Sequence, residues 1–239
     1  MTEALDVVTF GETMVCFAAH EPGPLEAAAT FTKIVAGAES NVAVGLARLG
    51  LRVAWLSRLG DDSFGRYVRA ALEAEGVDCA SVPIDTTRRT GFMLKSRAPE
   101  GQDPVVEYHR RGSAASALAP ADFDASRFLA ASHLHVTGIT PALSPSCAEL
   151  VEHAMRRMRA AGRTVSFDPN LRIKLWPSRE AVRRRSLVAP DLLGLRIEDR
   201  LIASLTLRRN NPRTHSEKQI HQIAASIRPA LEFRMAACL

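Results

Sequence analysis

Residues 35–50 read VAGAESNVAVGLARLG: small residues at Ala36, Gly37 and Ala38, an acid, then Asn41 one turn into an apolar helix. Small side chains leave backbone amides open to close approach by a ligand, and an Asn near a helix N-terminus can donate and accept hydrogen bonds at once. A polyol suits such a surface. The same pattern serves helix-on-sheet packing, with Asn41 closing a local turn, and spacing alone leaves both readings open. Asp61 and Asp62 have the composition of a paired-carboxylate site, but a helix begins beside them, and the reading adopted is that an acid there caps its free amides. Glu12 closes the first apolar run, either as a hydroxyl acceptor at a pocket floor or as a strand-end cap. His133 and His135 alternate along one strand with no third ligand near in sequence, so they read as packed or surface imidazoles and no metal ligand is assigned. Cys16, Cys79, Cys147 and Cys238 are scattered, form no CxxC pair, and read as free thiols.

The elements that must position these groups follow a strand-helix rhythm. Short apolar runs at 6–11 and 51–60 suit buried strands, and 132–138 and 163–170 read as further strands. Helical segments at 39–49, 62–76 and 144–162 lie between them, with Asp62 or Ser63 placed to cap the second and Gly50 and Gly76 placed to end the first two. The alternation predicts an α/β fold with a mostly parallel sheet flanked by helices. Two stretches, 13–37 and 90–114, break the rhythm as strand pairs joined by Gly/Pro turns. They predict a small antiparallel sheet, a lid over the C-terminal ends of the parallel strands, where open α/β sheets bind ligands.

Composition bounds the setting. The 239 residues are 46% apolar, enough for one large α/β domain or two small ones. No apolar run reaches the roughly 18–20 residues that span a membrane, and the N-terminus carries acids rather than a basic stretch and apolar core. A cytoplasmic protein with no membrane partner is the expectation. Residues 1–182 hold 20 Lys and Arg against 21 Asp and Glu, while residues 183–239 hold 11 against 5. That tail lacks interleaved aromatics and any binding motif, so its charge reads as a solvated surface and no nucleic-acid partner is expected.

Several of these stretches carry a family resemblance. AGAESNVAVGLARLG, Gly60 with GDDSFG, TGFMLKSR, VEYHRRGSAASALAP, HVTGITPALSP and DPNLRIKLW occur in this order. As a set over residues 6 to about 182 they resemble the ribokinase-like, or PfkB, carbohydrate kinases, and are most similar to 2-keto-3-deoxygluconate kinases. The resemblance implies a ribokinase-like fold and ATP-dependent phosphorylation of 2-keto-3-deoxygluconate to its 6-phosphate, with ATP and Mg2+ as cofactors. It implies Gly37 against the sugar, Asn41 on the helix that follows, Tyr108 and Arg110 from the lid, Ile139 over the ligand, and Arg172 at the sugar carboxylate or the transferring phosphate. Met93 stands where relatives can carry an aromatic. Two arginines make chemical sense for a keto acid, since a planar guanidinium can hold two carboxylate oxygens. A lid that excludes water protects the phosphoryl group from hydrolysis. An exposed lid edge also makes a homodimer through the lid an expected assembly.

Agreement stops near residue 182. The family's phosphate machinery includes a GAGD turn whose helix amides hold developing negative charge and whose Asp is the base. No GAGD occurs in these 239 residues, so no catalytic residue is assigned. The first expectation is therefore a truncated kinase domain over 1–182 followed by a divergent basic tail over 183–239, poorly packed, such as a shifted reading frame or a fusion would produce. The alternative function is a catalytically inactive remnant that keeps part of the sugar pocket and lid.

Overall fold

The computed structural model describes residues 5–99, 101–168 and 170. The expectations for Arg172, Cys238 and the tail 183–239 fall outside the described residues.

Four parallel strands form the body: β1 (Val7–Phe10), β4 (Val53–Leu56), β9 (His133–Thr137) and β10 (Thr164–Asp168), in the order β10-β9-β1-β4. The continuous burial of β1 and β4 explains why they read as apolar runs without alternation. Val7, Val53 and Trp55 face one side and pack on α1 (Ala38–Arg48) and α2 (Ser63–Ala74). Val8, Phe10, Leu134 and Val136 face the other and pack on α5 (Pro145–Ala160). Each fully buried Leu or Val in these layers contributes about 1.5–3 kcal/mol. The α1 stripe explains its own spacing: Glu39, Val42, Ala43 and Leu46 are all buried, at the i, i+3, i+4, i+7 positions of a helix face.

Connections leave β1 toward β4 through α1 on one face, and β9 toward β10 through α5 on the other. The order of winding therefore reverses between β1 and β9. A crevice at the C-terminal ends of these two strands is the place such sheets offer to ligands.

The second sheet refines the expected lid. β2 (Met14–Pro22) with β3 (Phe31–Ala36), and β7 (Phe92–Arg97) with β8 (Val106–His109), are antiparallel hairpins. The hairpins join through a parallel β2–β7 pairing, giving the order β3-β2-β7-β8. Phe17 from β2, Phe92 from β7 and Phe64 from α2 form an aromatic cluster, with Phe17–Phe64 and Phe64–Phe92 centroids 5.7 and 5.6 Å apart. Tyr67 of α2 donates to the Lys33 carbonyl at 2.9 Å. These contacts seat the lid on α2.

The expected strand 51–60 is two elements: after β4, Leu59–Gly60 (β5) pairs in parallel with Ile84–Asp85 (β6). Two short α-helices, α3 (Ala125–Ala130) and α4 (Thr140–Leu143), and 3-10 turns at Leu25–Ala27, Ala114–Ala117 and Pro120–Asp122 complete the elements of the described residues.

Candidate functional site

The chain leaves β1 through Gly11 and Glu12, and β9 through Gly138 and Ile139, so both segments lie at the C-terminal ends of these strands, where the crevice is expected. The N-terminus of α1 comes down beside them. Gly37 is the N-cap of α1, and Asn41 closes the first turn by donating its amide to the Gly37 carbonyl at 3.0 Å. Gly37 is needed for space: a Cβ there would lie 2.7 Å from the Glu12 carbonyl oxygen and 2.8 Å from Thr13 Oγ1. The Asn41 side chain is exposed, available to a ligand and not consumed in packing.

Two buried carboxyls tie the walls of the crevice together. Glu12 accepts the Ser113 hydroxyl at 2.5 Å and pairs with Arg110, whose Nη2 lies 2.5 Å from Glu12 Oε2. The Arg110 side chain is 10% exposed and that of Glu12 1%. The second hairpin is thereby latched to the end of β1. Gly91 permits the approach, since a Cβ there would stand 2.8 Å from Glu12 Oε1. Of the two readings of Glu12, neither a bare strand-end cap nor a free hydroxyl acceptor describes what is observed: its carboxylate is engaged by Arg110 and Ser113.

Glu39, in the first turn of α1, accepts the hydroxyls of Thr137 and Thr140, both at 2.7 Å. Thr137 Oγ1 in turn accepts the Ile139 amide at 3.1 Å. One carboxyl thus fastens the helix bearing Asn41 to the turn bearing Ile139. Burial pushes the Glu39 carboxyl above its ordinary value, outweighing the two threonine bonds and the nearby Arg110 charge. Its Oε2 has no hydrogen-bond partner among the described residues. It also explains Gly11, where a Cβ would come within 2.6 Å of that oxygen.

Of the sequence-predicted site residues, Gly37, Asn41, Arg110 and Ile139 come to this crevice through Glu12 and Glu39. Tyr108 stands on β8 two residues before Arg110, 46% exposed, opposite Met93, with the Arg110 guanidinium 5.8 Å from its ring centre. Arg172 lies outside the described residues.

The other candidates resolve as structure. Asp62 caps α2, accepting the amides of Gly65 at 2.7 Å and Thr90 at 2.8 Å. Burial alone would raise its carboxyl, but these bonds hold it below the usual carboxylate range. Asp61 faces solvent in a pair with Arg66. The two acids do not form an acid/base pair. His133 and His135 are buried and share the Ser166 hydroxyl, at 2.8 and 2.9 Å. Burial lowers their imidazoles to about 4 and about 3, keeping both neutral. Among the described residues no cluster of three His, Cys, Asp or Glu side chains could hold a metal, and Cys16, Cys79 and Cys147 are free and buried. A cleft of about 370 Å³, lined in part by Leu56, Val82, Leu118 and Phe128, takes in none of the predicted site residues.

The family model for pfkB family carbohydrate kinases matches residues 4–199. The chain belongs to that family. Among relatives of this PfkB chain, 2-dehydro-3-deoxygluconokinase of Bacillus subtilis is 51% identical over 174 residues, covering 72% of this chain and 53% of that protein. The 2-dehydro-3-deoxygluconokinase of Thermoproteus tenax is 38% identical over 185 residues, 77% of this chain and 55% of its own length. The crystal structure of a PfkB protein from Polaromonas sp. JS666 is 54% identical, with a TM-score of 0.75 over 79% of this chain and 63% of that one. A fructokinase with bound ATP from Xylella fastidiosa is 29% identical, with a TM-score of 0.69 over 79% of this chain and 59% of that one. The chain spans about half the length of the two gluconokinase relatives. The ribokinase-like α/β fold with its lid is thus shared with solved members of the family.

Sequence reasoning passed over Glu39, Thr137, Thr140 and Ser113 as parts of this candidate site. A signal for Glu39 was present, since it occupies a buried-stripe position of α1. Ser113 meets Glu12 across 101 residues of sequence, and no local pattern reports such a pairing.

Proposed function

We propose that the crevice between β1 and β9 binds a 2-keto-3-deoxy sugar acid, 2-keto-3-deoxygluconate, and that the activity of this lineage is ATP-dependent phosphorylation of its 6-hydroxyl. The observation that carries the reading is that Glu12 holds Arg110, and Glu39 ties the helix of Gly37 and Asn41 to the turn of Ile139, at the point where the sheet's winding reverses. In this reading Arg110 faces the C1 carboxylate, with Arg172 as the second cation. Asn41 and Tyr108 take hydroxyls, Gly37 lets the sugar approach the backbone, and Ile139 covers it. The hairpins exclude water. The name shared by the two gluconokinase relatives supports the substrate class.

ATP and Mg2+ belong to the proposal at the level of the family. The described residues hold no metal-ligating cluster, none of them is assigned to either group, and no step is derived through them. A cytoplasmic location and a homodimer through the lid stay with the proposal; among the described residues no helix is long and apolar enough to cross a membrane.

A second reading is favoured by the lack of a GAGD turn in the 239 residues: the chain binds the sugar acid without turning it over. Removing one oxyanion donor alone costs about 2.7–4 kcal/mol, and a general base is worth about 10²- to 10⁴-fold. ADP release from ATP, Mg2+ and 2-keto-3-deoxygluconate is measured for this chain and for a chimera whose tail is replaced by a GAGD-bearing C-terminal half. No release by the chain and release by the chimera is expected. Turnover by the chain near the chimera's rate refutes the binding-only reading, and a chimera that uses D-fructose but not the sugar acid refutes the substrate.

A further inference from the structure

We propose, resting on the sugar-acid reading above, that Glu12 is a specificity-determining residue: its carboxylate holds Arg110 toward the crevice and sets how much positive charge a ligand carboxylate meets there.

Arg110 is not a free cation. Its Nη2 is 2.5 Å from Glu12 Oε2, in a pair almost wholly withdrawn from water. Glu12 is fixed from the other side by the Ser113 hydroxyl at 2.5 Å, and Ser113 is fixed by donating its amide to the Arg110 carbonyl at 3.1 Å. Three residues therefore form a closed loop that leaves the guanidinium little freedom. Arg110 Nε is buried with no hydrogen-bond partner among the described residues, so the guanidinium has donor capacity that Glu12 does not use. Bidentate recognition of a carboxylate depends on that planar fork being pre-set.

The same contact places a negative charge beside the one that is to be bound. Glu12 orients Arg110 and at the same time repels the ligand carboxylate. The two effects separate by substitution. Glu12→Gln keeps the side chain's shape, and its amide can accept from Arg110 and donate to Ser113 Oγ, but it removes the charge. Glu12→Asp keeps the charge and shortens the reach.

Isothermal titration with 2-keto-3-deoxygluconate and with its neutral methyl ester tests this on the full chain. Glu12→Gln is expected to tighten binding of the acid at least about threefold, the effect of removing one like charge from about 6 Å away even at the screening of bulk water. Ester binding is expected to be unimproved, and Glu12→Asp is expected not to tighten the acid. A residue that only stabilises the fold would loosen both ligands in Glu12→Gln, and that result overturns the proposal. Where Glu12→Gln alone does not fold, Arg110→Gln is compared with the double variant Glu12→Gln/Arg110→Gln, whose uncharged pair leaves no orphan ion. The double variant is expected to bind the acid more tightly than Arg110→Gln by a similar factor; equal affinity overturns the proposal. Acid binding by the parent chain with no gain in these variants removes the role of Glu12 alone. No acid binding by the parent chain removes the sugar-acid reading and this proposal with it.

Discussion

Replacing Gly37 by alanine isolates the role of close approach at the crevice. Gly37 has φ −163° and ψ 144°, an extended conformation that alanine adopts without strain, so the expected penalty is purely steric. The added Cβ would lie 2.6 Å from Ser40 Oγ, 2.7 Å from the Glu12 carbonyl and 2.8 Å from Thr13 Oγ1, where ordinary contact begins near 3.4 Å. Ser40 can swing away, losing its 3.3 Å bond to the Gly37 carbonyl. The Glu12 carbonyl cannot, because its side chain is held by Arg110 and Ser113. Overpacking of this kind costs about 1–3 kcal/mol, partly offset by about 0.4–1 kcal/mol from the stiffer unfolded chain. With three contacts below 3.0 Å the cost falls in the upper part of that range, so a net loss of about 1–2.5 kcal/mol follows, or roughly 2–10 °C in Tm for a chain of this size. Urea unfolding followed by circular dichroism measures it, and sugar-acid affinity should fall in parallel as Glu12 and Arg110 are displaced. Stability within about 0.5 kcal/mol of the parent, the range of an ordinary surface change, would refute the argument.

Two further outcomes concern buried titratable groups. His133 and His135 have folded-state values depressed by burial to about 4 and about 3. Their stabilisation is therefore complete above the unfolded value of about 6.5 and is lost as pH falls, by about 2 kcal/mol per histidine at pH 5. Urea unfolding at pH 7 and pH 5 should show that loss, and a His133→Gln/His135→Gln variant should show much less; a parent with a flat profile contradicts it. Glu39 has the opposite sign. Its raised value means that its contribution is complete below the unfolded carboxyl value of about 4.3 and is lost as pH rises through the folded one. Glu39→Gln should thus be at least as stable as the parent at pH 7, whereas Glu39→Ala, which strands two buried threonine hydroxyls, should lose about 2 kcal/mol or more. Equal stability of the two variants would show that Thr137 and Thr140 do not depend on Glu39.

What could be read from the sequence was what neighbouring residues determine. The apolar runs of β1 and β4, the cap at Asp62, and the stops at Gly50 and Gly76 are local physics, and their approximate spans followed from it. The parallel β2–β7 pairing joins segments more than 70 residues apart, with Val15 opposite Phe92, and neither hairpin carries a mark of its partner. The single strand expected over 51–60 breaks into β4 and β5, because β5 exists only through its pairing with β6. At the site, Gly37 and Asn41 stood out by residue type and spacing, and Tyr108, Arg110 and Ile139 entered through a family resemblance, while the bonds that fasten several of them together were legible in neither. Glu39 was passed over, although its place in the α1 stripe required burial. The counter-charge that meets Arg110 lies 98 positions away, at Glu12, where no local pattern reports it.

A crystal structure of the chain with 2-keto-3-deoxygluconate bound tests the central claim most directly. The account predicts the sugar between the N-terminus of α1 and the 138–140 turn, its C1 carboxylate on the Arg110 guanidinium and a hydroxyl on Asn41. A sugar acid bound elsewhere, or bound here with its carboxylate turned away from Arg110, would contradict it.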